Sequence, residues 1–334
     1  MVLAVSHRPL STSRRDLAAA LATLWLTGGL YLDGWAHSHV PELETFFTPW
    51  HGVLYSGYAV LALTIVPSGL WRGRPAGPVR DWVPAGYGLG LLGVVLFAVG
   101  GVVDMTWHTL LGVEASLEAL LSPPHLLLLT AGTLMITTPV RAAAARRATP
   151  SLAGDLPVLL SLLSAVGVAA FFLNYLSPFT DAPAAFEGFR NGQAFGLAQY
   201  LAFTVLVVTA CLFTWTRLGR APVGLVTVVV AAASIPDGVF NDFEHLAAQL
   251  WPLLGAVLAD LAVQWVAAQR PDLVPVTLGA LVPPLIWSTH LIGVQLSLGV
   301  AWTEELWSGV VVLTALAGAV LGGLSAPPAR TPAA

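Results

Sequence analysis

The chain has 334 residues, 56% of them hydrophobic and 10% charged, with a net charge of −4. A soluble domain carries about a quarter charged residues, so this chain has too few polar side chains to coat a globule, and its solvent is expected to be lipid. The basic residues are all arginine and form no stripe, which excludes nucleic acid as a partner; the single Cys211 excludes an intrachain disulfide and a thiolate metal cluster.

Apolar runs long enough to span a bilayer fall at roughly 16–36, 50–70, 83–106, 123–140, 156–177, 195–215, 222–240, 248–268, 273–296 and 306–325. The predicted fold class is all-α: a polytopic integral membrane bundle of about ten transmembrane helices, built from repeated helix hairpins. Residues 1–148 are expected to carry the first four spans, and 149–334 a further six, within one membrane domain. Arginines precede the first run (Arg8, Arg14, Arg15) and follow the second (Arg72, Arg74, Arg80) and fourth (Arg141, Arg146, Arg147). They recur after the sixth (Arg217, Arg220), eighth (Arg270) and tenth (Arg330), and only Arg190 falls in a gap of the other parity. The positive-inside rule then puts both termini in the cytoplasm and makes the chain a multi-pass protein of the plasma or inner membrane.

The remaining gaps gather acids and histidines, among them His37, His39, His51, His108, His125, His245 and His290. Two hairpins are alike. Asp33 to His51 reads DGWAHSHVPELETFFTPWH, and Asp104 to His125 reads DMTWHTLLGVEASLEALLSPPH. Both open with Asp-x3-His and close with Glu-x6-His, with proline just before the last histidine. Residues four apart share a helix face, so Asp33 and His37 point at one spot, as do Asp104 and His108. Proline is tolerated at a helix start, which places His51 and His125 in the first turn of each return helix, at the depth of the pairs. One carboxylate and two imidazoles then converge in each hairpin, a set that suits copper, zinc or non-haem iron. Glu44 and Glu118 are candidate extra ligands or acceptors that hold an imidazole tautomer. A lone histidine near a helix end is more often an interfacial residue, and a lone aspartate a helix cap. Repetition at a depth where ionisable groups are costly is what favours the metal reading.

The other hairpins carry less. One reads PDGVFNDFEHLAAQLWP and offers Asn241 and His245 as additional candidate ligands, beside Asp237. His290 stands alone. Asp260 lies deep in the eighth run, where an acid is expected to be protonated and hydrogen-bonded or to belong to a proton path.

The two repeats resemble the metal-binding segments of the C subunit of the copper membrane monooxygenases, the particulate methane and ammonia monooxygenases. Asp33, His37 and FTPWH ending at His51 match that subunit's first segment. WHT at 107–109 and LEALLSPPH at 117–125 match its second, with Asp104 where the family has asparagine. The resemblance covers roughly residues 20–140. It implies a copper site at Asp33, His37 and His51, and a second at Asp104, His108 and His125. It also implies dioxygen chemistry on a small apolar substrate, and assembly with other membrane subunits. The function expected is therefore a membrane metal-binding protein with a monooxygenase-like copper site on the non-cytoplasmic side, with zinc or iron as alternative metals. Its expected partners are the lipid bilayer and other membrane subunits or further copies of itself. Two rival readings are a membrane copper transporter or metallochaperone, and an assembly factor whose acids and histidines meet an outer partner.

Overall fold

The computed structural model describes residues 8–40, 46–66, 82–112, 116–147, 149–186 and 190–326. Among these residues there are helices and turns and no strand. In chain order the helices are α1 (Ser13–His39), α2 (Pro49–Ile65), α3 (Gly88–Leu111), α4 (Ser116–Leu121), α5 (Pro123–Ile136) and α6 (Thr138–Arg146). They continue with α7 (Leu152–Phe172), α8 (Pro178–Asp181), α9 (Arg190–Leu218), α10 (Leu225–Ser234), α11 (Leu246–Gln269), α12 (Val274–Ser297) and α13 (Glu304–Ser325).

Eight helical segments are long and apolar enough to cross a membrane, α5 and α6 together making one of them. Their outer faces keep leucine and valine exposed, as at Val95, Val99 and Val102 on α3 and Leu316, Val320 and Leu324 on α13, which is the surface lipid requires. The runs expected at 50–70 and 222–240 are shorter helices. α2 has 17 residues, a rise of about 26 Å against a hydrocarbon core of about 30 Å. α10 has 10 residues and passes at Pro236 into a 3₁₀ turn, Pro236–Asn241. Proline supplies no N–H to continue the α-helical ladder there.

The described residues divide into two compact units, Met1–Phe172 and Leu173–Ala334. This division falls one helix later than the 148/149 boundary expected from the spans, because α7 packs along α1. Thr23 Oγ1 and Ser164 Oγ share a hydrogen bond of 2.8 Å, Tyr31 Oη donates to Gly167 O at 2.9 Å, and Tyr31 meets Phe171 edge-on at 5.2 Å.

Close backbone crossings hold the first unit's hairpins. A Cβ at Gly29 would strike the Leu54 backbone, and one at Gly57 the Leu26 backbone, so α1 and α2 touch at main-chain distance. Gly93 does the same for α3 against Ala131 of α5. Small residues drive such packing in membranes because lipid gives helices no hydrophobic reason to associate. At the end of these helices away from the histidines, arginines satisfy carbonyls that the helices leave open. Arg15 donates to Thr64 O, Ile65 O and Val66 O at 3.0–3.3 Å, closing the C-terminus of α2. Asp16 is fully buried, pairs with Arg146, and accepts a hydrogen bond from Tyr87 Oη at 2.6 Å.

In the second unit α12 lies between α11 and α13. Gly279 of α12 meets Gly318 of α13, and Gly322 meets Pro275, so the GAVLG stretch 318–322 forms a small-residue crossing. Trp287 Nε1 donates to Thr204 Oγ1 at 2.7 Å, tying α12 to α9. Asp260 of α11 accepts from Val226 N, Thr227 N and Thr227 Oγ1 at 3.0, 2.8 and 2.6 Å. It thereby occupies the open N–H groups at the start of α10. The hydrogen bonding expected of Asp260 is therefore present in the fold.

Candidate metal centres

The first hairpin delivers its three side chains to one point. Asp33 and His37 sit one turn apart near the end of α1, and His51 lies in the first turn of α2. His37 Nε2 is 3.7 Å and His51 Nε2 3.4 Å from Asp33 Oδ2. Thr48 caps α2: its hydroxyl accepts the His51 backbone N–H at 3.1 Å and shares a second hydrogen bond of 3.1 Å with His51 Nδ1. The hydroxyl so turns Nε2 toward the carboxylate.

The second hairpin repeats this arrangement on α3 and α5. His108 Nε2 is 3.4 Å and His125 Nε2 3.1 Å from Asp104 Oδ1. Ser122, the residue before Pro123, shares a hydrogen bond of 2.9 Å with His125 Nδ1, and His108 Nδ1 lies 3.3 Å from Gly112 O. Gly112 ends α3 with φ of 88°, a conformation that favours glycine, and this aims its carbonyl back at the histidine. In both hairpins the far nitrogen of the return histidine is engaged by a hydroxyl three residues earlier, leaving Nε2 for the carboxylate or for an ion.

The donor atoms of each triad all lie within 4.8 Å of one another. Bonds of about 2.0–2.2 Å to one ion place its ligands up to about 4.4 Å apart, so the triads are near ion-binding dimensions as they stand. Four of the six side chains are buried: Asp33, His51, Asp104 and His108 are all less than 9% exposed. Asp33 Oδ1 is buried with no hydrogen-bond partner among the described residues. A carboxylate surrounded by imidazole nitrogens, with an oxygen to spare, fits a metal of the copper, zinc or iron kind.

The triads are neighbours. The ring of Phe46 stacks on His51 at 4.8 Å and tilts against His108 at 6.3 Å, so one aromatic plate stands between the two sites. Tyr55, one turn along α2 from His51, has its ring 6.3 Å from His51 and 5.8 Å from Phe46. Its hydroxyl is buried with no partner among the described residues, and it lies within electrostatic reach of both Asp104 and Asp33. A Cβ at Gly101 would crowd this phenol, so glycine there makes room for it. Thr48, Ser122, Phe46 and Tyr55 all escape the sequence reading. The first two carry a signal that was present, the shared pattern of a hydroxyl residue, proline, any residue and histidine. Phe46 and Tyr55 carry none, since aromatics near span ends are ordinary in membranes.

The remaining candidates fall elsewhere. Glu44 lies outside the described residues. Glu118, on α4, is exposed and stands apart from the second triad. His39 shares a hydrogen bond with Trp35 O at 2.9 Å and stacks on the Trp35 ring at 5.1 Å. Asn241 and His245 belong to the second unit. His290 is fully buried with Nδ1 at 2.9 Å from Ala248 O and Nε2 at 3.2 Å from Tyr200 Oη, so both ring nitrogens are engaged within the core. No protein-family model, curated protein sequence or solved structure matches the chain.

Proposed function

We propose that the chain is a membrane metalloprotein that binds two ions, one at Asp33, His37 and His51 and one at Asp104, His108 and His125. The observation that carries this is the duplicate geometry: in each hairpin two Nε2 atoms face one carboxylate oxygen at 3.1–3.7 Å. Copper is the metal we favour, with zinc and iron as alternatives, because imidazole with carboxylate suits all three. Three protein ligands leave an open position on each ion, the mark of sites that do chemistry. Bound copper would supply electron exchange with dioxygen, and we read the activity as oxidation of a small apolar substrate arriving from lipid. The chain's own contribution is positional. Thr48 and Ser122 orient the return histidines, and Phe46 and the surrounding helices exclude water.

We further infer ten spans, the eight long helices together with α2 and the stretch Leu225–Asn241, in a plasma or inner membrane. Both termini are then cytoplasmic and both triads lie toward the outer face. The transporter reading finds less support. It relied on Asp260 as a midway station, and Asp260 has both oxygens occupied by the start of α10.

Metal analysis of the purified chain tests the proposal. After resupply with copper, zinc or iron the wild type should hold two ions, and His51→Ala and His125→Ala one each. Loss of both ions from either variant would show one inseparable centre. Absence of any stoichiometric ion in the wild type would end the metal reading.

A further inference from the structure

Beside the triads the two hairpins differ at a pair of positions. Tyr55 follows His51 by four residues on α2 and shares its helix face, whereas the residue four after His125 is Leu129, so the phenol has no twin. Gly101 precedes Asp104 by three residues on α3, and the residue three before Asp33 is Leu30. Tyrosine and glycine thus stand where the repeat elsewhere has leucine at both positions.

These two residues touch. A Cβ at Gly101 would lie 3.1 Å from Tyr55 Oη and 3.0 Å from its Cε1, so the tip of the phenol rests on the α3 backbone. That point is three residues before Asp104, an axial rise of about 4.5 Å. Gly101, Asp104 and His108 follow one another at helical spacing along a single face of α3. A hydroxyl that starts in the first hairpin therefore ends beside the second triad. Phe97 of α3 meets the Tyr55 ring edge-on at 6.2 Å, and Phe46 lies 5.8 Å from it, so the phenol is held in an aromatic setting. Oη is buried without a hydrogen-bond partner among the described residues, and it is within electrostatic reach of Asp104 and Asp33. Phenylalanine would fill this space without burying a donor. The hydroxyl calls for an acceptor that the described residues do not supply.

We infer that Tyr55 donates a hydrogen bond to a small anionic ligand bound at the open position of the ion held by Asp104, His108 and His125. The inference rests on the metal reading above, in which three protein ligands leave such a position. The ligand class is an acceptor atom that carries negative charge against the cation: hydroxide, or azide as a stable probe. Such a ligand would lie near two carboxylates that repel it, and a neutral donor in a fixed place offsets that repulsion. Tyr55 acts on the ligand directly and does not join the donor set of the ion.

Azide titration of the copper-loaded full chain in detergent tests this, read by the azide-to-copper charge-transfer band, with copper content measured on the same samples. Tyr55→Phe should keep both ions and weaken azide binding about tenfold, the loss of one hydrogen bond to a charged acceptor. Its metal-free Tm should equal or exceed that of the wild type, because an unsatisfied hydroxyl is removed. Gly101→Ala crowds the phenol off α3 and should weaken azide binding with the tyrosine still present. Tyr55→Phe added to His51→Ala, which keeps the second ion, should retain the effect; added to His125→Ala, which keeps the first, it should change nothing. Unchanged azide affinity in copper-loaded Tyr55→Phe overturns the inference, as does loss of the second ion from that variant or an effect confined to the His125→Ala background. A wild type without stoichiometric copper fails the metal reading itself, which the copper content shows separately.

Discussion

Thr48 and Ser122 make the return histidines what they are. Each hydroxyl sits three residues before a histidine across a proline-started turn and holds its Nδ1, at 3.1 and 2.9 Å. Outer partners of this kind are worth tenfold to a hundredfold in metal affinity. Thr48→Val should therefore weaken the first site about 10- to 100-fold, and Ser122→Ala the second, as read by competition with a chelator. Thr48→Ser should restore the first. Thr48→Val should also cost about 1 kcal/mol of stability, because Thr48 caps α2 through its hydroxyl. Ser122 makes no such cap to α5, so Ser122→Ala should leave the metal-free Tm nearly unchanged. The six triad residues were legible in the sequence because helical periodicity fixes where residues four apart point, and proline fixes where a helix starts. Phe46 and Tyr55 were not legible: their role depends on how α1–α2 and α3–α5 lie together, and spacing within one hairpin holds no information about that.

Among the elements, α10 depends most on one distant side chain. Its first turn has no side-chain cap of its own, since Gly224 precedes it, and Asp260 of α11 supplies the acceptor instead. Asp260→Ala should cost about 1–3 kcal/mol. It should also speed amide exchange at Val226 and Thr227 while leaving exchange in α12 and α13 unchanged, which hydrogen-exchange mass spectrometry resolves. Hydropathy found the helices themselves, since apolar length is a one-dimensional property. It overestimated two of them because it does not weigh local stops. Pro236 ends α10 early, inside a run that reads as continuous, and α2, started by Pro49, stops at Ile65, short of the expected end of its run. The buried acid in the eighth run reads in the sequence either as a protonated, hydrogen-bonded group or as part of a proton path. Its donors come from the start of α10, some 33 and 34 residues earlier, a pairing that composition cannot reveal.

At the scale of the whole chain, the reading of sidedness yields a direct test. Cysteine introduced at Ser38 or Thr109 should be labelled by a membrane-impermeant maleimide in intact cells, and cysteine at Thr149 only after lysis. The background is low, because the native Cys211 is fully buried. Labelling in the reverse order would overturn both the orientation and the outer placement of the triads. The division into two units at Phe172 and Leu173 was not legible from the spans, because it rests on hydroxyl and tyrosine contacts between α1 and α7. The hairpins carry a different kind of independence. Each triad draws every donor, its proline and its orienting hydroxyl from one uninterrupted stretch, 33–51 or 104–125. Nothing from a remote part of the chain is needed to complete the set. Such a stretch is copied intact by a single tandem duplication, and each copy is then free to diverge in what it holds without disabling its twin.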